Sequence, residues 1–203
     1  MSDASLRKRA LLLSYLTIAY NAVEFVLSLI AGILSGSIAL IGFGLDSLVE
    51  SFSGGIMVWR FNKHGDMSEE EEERVERRAE KLVGYTFLVL AAYVLYGSIA
   101  KLIEKEPAAP SVLGIFIAIA SIISMPALYL AKLRTATALN SRSLAADSKE
   151  TLACAFLSVA LLIGLGVNKL FGFWQADSIV GLVIVAFLAR EGIEIVRGEH
   201  EEE

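Results

Sequence analysis

Residues 11–59 read LLLSYLTIAYNAVEFVLSLIAGILSGSIALIGFGLDSLVESFSGGIMVW, and tyrosines apart, the only ionisable side chains in this stretch are Glu24, Asp46 and Glu50. A helix of about 20 residues already crosses roughly 30 Å of hydrocarbon, so a run this long holds two spans. Ser35-Gly36-Ser37 is the natural break, giving helices over about residues 10–34 and 37–59. Working outward, further uncharged apolar stretches cover 82–100, 111–131 and 151–167, the last extending back through Leu144, and a final one follows Asp177 through Ala189. With their flanks these predict six transmembrane helices, near 10–34, 37–59, 69–103, 111–131, 143–167 and 174–196. The expected fold class is therefore all-α: a polytopic membrane protein with a single transmembrane domain over residues 1–203, a cytosolic loop at 60–81 and a short tail at 197–203.

Composition agrees. Of 203 residues, 55% are hydrophobic and 20% charged, with a mean hydropathy of +0.60, whereas a soluble domain has roughly 45–50% apolar and about 25% charged residues. One cysteine and three prolines exclude a disulfide framework, a zinc ribbon and a proline-rich linker. A net charge of -5 gives no electrostatic reason to expect nucleic acid. No nucleophile elbow, phosphate loop or histidine-bearing metal motif is present, so an enzyme is not expected and no catalytic cofactor is implied.

The positive charges set an orientation. Arg7-Lys8-Arg9 precede the first span, six lysines and arginines from Arg60 to Lys81 lie between the second and third, and Lys132, Arg134 and Arg142 fall between the fourth and fifth, against only Lys101, Lys105 and Lys169 opposite. Both termini are therefore expected in the cytoplasm. The basic N-terminus leads into an apolar run longer than a signal-peptide core, so it reads as a first span. In the acidic segment, Ser68 with Glu71 fits a capping box, and Glu70/Arg74 and Glu73/Arg77 are i,i+4 pairs, which predicts that the third helix starts in the cytosol near Glu69. His64, Asp66 and these glutamates are read as a solvated face in preference to a cation lure, and the tail from Glu199 likewise. Pro126 predicts a kink or hydrated spot in the fourth helix. Gly32 with Gly36, and Gly44 with Ser47 and Ser51, predict close helix packing.

The intramembrane acids carry the chemistry. Asp46 and Glu50 lie one turn apart on the second helix, and Glu150 and Cys154 repeat that spacing on the fifth. Counted from the cytosolic ends at Arg60 and Arg142, Glu50 and Glu150 lie about 15 Å and 12 Å deep, Asp46 and Cys154 about 21 Å and 18 Å. Two antiparallel helices would bring all four into one cluster. Three carboxylates at that depth cost on the order of 8–10 kcal/mol uncompensated. No lysine, arginine or histidine is expected beside them, since Lys149 can snorkel away, so a solution cation or protons must neutralise them. Oxygen donors with one thiolate suit Zn²⁺, with Cd²⁺, Fe²⁺, Co²⁺ and Mn²⁺ as competitors. A divalent ion balances only half of four negative charges, which leaves protons to balance the rest and points to metal/proton exchange. The bland alternative is that individual acids are protonated packing residues, and Cys154 a small buried hydrophobe. Glu24 and Asn21 on the first helix and Asp147 before Glu150 are candidates for accessory or entry-side positions, Glu24 alternatively pairing with a polar neighbour and Asp147 alternatively an interfacial helix-start charge. Asp177 reads as an N-terminal capping acid.

Gly36-Ser37-Ile38-Ala39-Leu40 with Gly44-Leu45-Asp46-Ser47-Leu48-Val49-Glu50 resembles the second helix of cation diffusion facilitator transporters. Ser143-Leu144-Ala145-Ala146-Asp147 with Glu150 and Cys154 is similar to their fifth helix, and Trp174-Gln175-Ala176-Asp177 with Glu191-Gly192 to their sixth. The resemblance implies a homodimeric exporter of Zn²⁺ or a related divalent metal, driven by proton antiport through alternating access, multi-pass in the plasma or inner membrane. It maps the ligand pairs of helices two and five onto Asp46/Glu50 and Glu150/Cys154. Glu50, Glu150 and Cys154 depart from the histidine and aspartate usual at those positions, no span contains a histidine, and a cytosolic domain beyond the sixth helix is not expected. The alternative is a non-transporting, metal-responsive membrane protein or a small cation channel.

Overall fold

The Ser-Gly-Ser break is a left-handed turn: Gly36 has φ +66, a conformation open to glycine at little steric cost. Lys101 Nζ donates to the Gly36 carbonyl at 2.5 Å, meeting the negative end of the helix that stops there. The computed structural model describes residues 3–63 and 69–197. They form α1 (Asp3–Ser35), α2 (Ile38–Lys63), α3 (Glu69–Glu104), α4 (Val112–Leu139), α5 (Arg142–Phe171) and α6 (Gln175–Arg197). His64, Asp66, Ser68 and the acidic tail lie outside the described residues, as do the side chains of Glu70 and Glu73.

Several ends carry an identifiable stop. Ser111 and Ser141 cap α4 and α5 by accepting from the backbone N–H of Gly114 and Leu144. Asn140 (φ 50) and Gly172 (φ 67) close the same two helices in the left-handed region. α4 is continuous through Pro126 and extends to Leu139, eight residues beyond the apolar run that defines it in the sequence. Asp177 differs from its reading as a cap of its own helix. It lies in the first turn of α6 but accepts from Ser37 Oγ and, at 2.9 Å, from the backbone N–H of Ile38, so it caps α2 from across the bundle. Ser37 Oγ in turn accepts from Leu40 N at 3.1 Å. Asp177→Ala should cost about 1–2 kcal/mol, seen as a lower unfolding midpoint in detergent; an unchanged midpoint would deny the cap an energetic role.

α2 is the hub, packing against α1, α3, α5 and α6. Two glycines show where backbone lies against backbone. A Cβ on Gly44 would stand 3.0 Å from Ser28 Cβ and 3.3 Å from the Phe25 carbonyl of α1, and one on Gly192 would stand 2.9 Å from the Gly84 carbonyl of α3. Backbone cannot yield as a side chain can, so α1/α2 and α3/α6 are joined along small residues.

Polarity is distributed inside out. Leu34, Leu82, Val89, Tyr96, Phe116, Ile123 and Phe156 are more than 65% exposed, while Ser14, Thr17, Asn21, Asp46, Glu50, Lys132, Asp147 and Thr151 are at most 4% exposed. Such a surface is stable against hydrocarbon, not water. Four helices, α1, α3, α4 and α5, pass as membrane spans on length and composition alone. α2 and α6 fall short because they carry Asp46, Glu50, Asp177, Arg190 and Glu191 within their apolar sequence. The chain is an all-α polytopic membrane protein.

Candidate metal centre

The polar interior is written at helical spacing on three helices. On α1, Ser14, Thr17, Asn21, Glu24 and Ser28 recur every three or four residues and all are buried. α2 contributes Asp46, Ser47, Glu50 and Ser53, and α5 contributes Asp147, Thr151, Cys154 and Ser158, each set on one buried face. Glu150 sits at the flank of the α5 face, only partly buried as a residue, although its Oε2 is enclosed.

α2 and α5 pack together and run antiparallel. At the basic end, Arg60 Nη1 donates to Ser143 Oγ at 2.7 Å. One to two turns further in, Ser53 Oγ donates to Asp147 Oδ1 at 3.3 Å. Next, Thr151 Oγ1 donates to Glu50 Oε1 at 2.6 Å, and deeper still Asp46 faces the Cys154 thiol. Glu50 is thus brought to the level of Thr151, beside Glu150, and Asp46 to the level of Cys154.

The expectation that no basic group stands at this depth is overturned. Lys132 is fully buried and its Nζ lies 2.9 Å from Asp147 Oδ2 and 4.0 Å from Glu50 Oε1, while donating to Thr151 Oγ1 at 2.8 Å. It belongs to α4, not to a cytosolic connection, because α4 continues to Leu139 and turns the lysine onto its buried face with Ser121 and Met125. The signal was in the sequence: no glycine or proline stops the helix between Pro126 and Asn140, and Lys132 follows Met125 by seven residues, two turns on the same face. Asp147 is accordingly an ion-paired core residue, 2% exposed, and not an interfacial charge.

Glu24 is occupied by polar neighbours. Ser47 Oγ donates to its Oε2 at 2.8 Å and Tyr20 OH to its Oε1 at 3.2 Å. Asn21 is buried with neither amide atom hydrogen-bonded, and Glu50 Oε2 and Glu150 Oε2 are enclosed without a hydrogen-bond partner. Buried groups of this kind rarely go unserved. Among the described residues, no three acidic, histidine or cysteine side chains converge into a group able to hold a metal ion. Instead, hydroxyls and the Lys132 ammonium lie between the carboxylates.

A lipid-facing shell of apolar helices around an acidic, hydroxyl-rich core defines an integral membrane protein with an ionisable intramembrane site. Residues 14–199 match the family described as the cation efflux transmembrane domain, and the chain belongs to the cation diffusion facilitator family. It is 25% identical over 171 residues to magnetosome protein MamB of Paramagnetospirillum magneticum, covering 82% of this chain and 57% of that protein. It is 24% identical over 193 residues to transmembrane protein 163 of Xenopus laevis, covering 94% and 67%. It is 27% identical over 184 residues to the uncharacterized transporter MJ0449 of Methanocaldococcus jannaschii, covering 89% and 65%. The chain thus spans 57% of the length of its MamB relative.

Proposed function

We propose that this protein exports a divalent metal cation, Zn²⁺ foremost, in exchange for protons, through a site between α2 and α5 built from Asp46, Glu50, Glu150 and Cys154, with Asp147 on its entry side. The observation that carries the reading is the α2/α5 register, in which two acid-bearing helices face each other with the Oε2 atoms of Glu50 and Glu150 enclosed between them. The family description names cation efflux and the archaeal relative is named a transporter, which supports transport over a purely structural role. The thiol of Cys154 favours zinc-like metals over Mg²⁺ or Ca²⁺. Charge balance favours exchange: the three carboxylates and a thiolate exceed what one divalent ion neutralises, and an emptied site needs other cations or protons. The basic residues flanking the spans favour cytoplasmic termini, and the proposed export runs from that side, in a plasma or inner membrane and as a homodimer.

The test is Zn²⁺ flux in proteoliposomes under an imposed pH gradient. Uptake that rises with the gradient and releases protons in proportion is the expected result. Uptake indifferent to the gradient would make the protein a channel, and no flux of Zn²⁺, Cd²⁺, Fe²⁺, Co²⁺ or Mn²⁺ would overturn transport by this chain.

A further inference from the structure

Lys132 is the one basic side chain drawn into the acidic interior of α2 and α5 among the described residues, and neither a transport site nor the family description calls for it. Lysine on a membrane helix ordinarily extends its stem toward the nearest polar surface. Here it lies about 10 Å from the end of α4, yet the ammonium turns inward to Asp147 and Thr151 and approaches Glu50. It therefore sits in the field of the carboxylates that would hold a cation. Thr151 couples the two, accepting from Lys132 and donating to Glu50.

We propose that the Lys132 ammonium is a tethered internal cation that fills the cytosolic flank of the α2/α5 site, between Asp147 and Glu50, and that a divalent metal ion must evict it to bind. The inference rests on the reading of α2 and α5 as the metal site and adds to it a competitor built into the protein. An ammonium and a divalent ion on the same carboxylate repel strongly in a medium of low dielectric, so the two occupancies exclude each other. The four-carbon stem supplies the reach to withdraw, through rotamer changes alone. When the metal leaves, the lysine returns, and Asp147 and Glu50 are not left unpaired in hydrocarbon. In this conformation the space between Asp147 and Glu50 holds Nζ of Lys132 and Oγ1 of Thr151. The same competition selects for charge, because a monovalent ion gains little by replacing an ammonium whereas a divalent one gains the second charge.

Reductive dimethylation of lysines in the purified, detergent-solubilised full chain, with and without Zn²⁺, tests this directly, with bound zinc measured by equilibrium dialysis on the same samples. Labelling of Lys132, read by mass spectrometry against exposed Lys169, should be low without metal and rise several-fold when zinc is bound. Lys132→Gln should bind zinc about tenfold more tightly or better, as expected for loss of a competing charge, while Lys132→Arg stays near the parent. Zinc bound without any change in Lys132 labelling, or a Lys132→Gln variant that binds no more tightly, overturns the eviction. Should Lys132→Gln fail to fold, the labelling of the unaltered chain decides alone. A protein that binds no zinc, with or without Lys132, overturns the α2/α5 metal site itself, and the inference with it.

Discussion

Asp46→Ala should reduce pH-driven Zn²⁺ accumulation in proteoliposomes to the level of protein-free vesicles, with the folded protein recovered at normal yield. The size of the effect follows from position. Asp46 is 4% exposed, at the deep end of the α2/α5 seam and against Cys154, where lipid and water offer an ion nothing in its place. In the proposed α2/α5 site Asp46 is one of four charged donors, and losing it should weaken divalent-ion binding strongly. Folding should be spared because the carboxylate removed is itself expensive at that depth, about 2.5–3.5 kcal/mol on insertion scales. Cys154→Ser separates metal choice from transport as such: Zn²⁺ and Cd²⁺ flux should fall well below that of Mn²⁺, whose preference is for oxygen. Parallel flux assays with a metal panel measure both. Undiminished zinc flux in Asp46→Ala would remove α2 from the ion path.

Asp147→Asn should have the second large effect, on stability. The substitution leaves the Lys132 ammonium buried without its partner at 2.9 Å, and breaking a buried pair from one side costs about 3–5 kcal/mol. Replacing both partners by apolar residues, Lys132→Met with Asp147→Leu, should recover most of that loss, because neither desolvated charge then remains. Unfolding in detergent of the single and double variants measures the difference. Equal destabilisation of the two would assign the cost to packing and not to charge.

The helices were legible because lipid imposes a simple rule: charge is excluded from about 20 residues at a time, and Ser35-Gly36-Ser37 marks a turn in an otherwise uninterrupted run. Depth along α2 and α5 could be counted from Arg60 and Arg142, and the Arg60–Ser143 hydrogen bond at 2.7 Å anchors the two helices close to those origins. The same rule concealed Lys132. A charge that ends an apolar run looks like the end of a span, so hydropathy alone ends the helix at residue 131, although the heptad phase of Lys132 with Met125 points to the core. Four-residue spacing singles out Glu150 and Cys154 on α5, whereas the more deeply buried set is Asp147, Thr151 and Cys154. The partner of Asp177 was beyond reach: its carboxylate serves a helix 139 positions away in the chain, and cap chemistry says only that an acid favours a helix start, not whose.

That carboxylate also fixes where α2 can move. Ser37 and Ile38 are fastened to α6 through Asp177, so the helix is pinned at this end and behaves as a lever with its fulcrum there. A tilt of about 10° about Ile38 would carry Asp46 about 2 Å and Arg60 about 6 Å. Displacement at the acids and displacement at the Arg60–Ser143 contact would thus be geared at about one to three, so that a small shift among the carboxylates would accompany a larger one at the basic end.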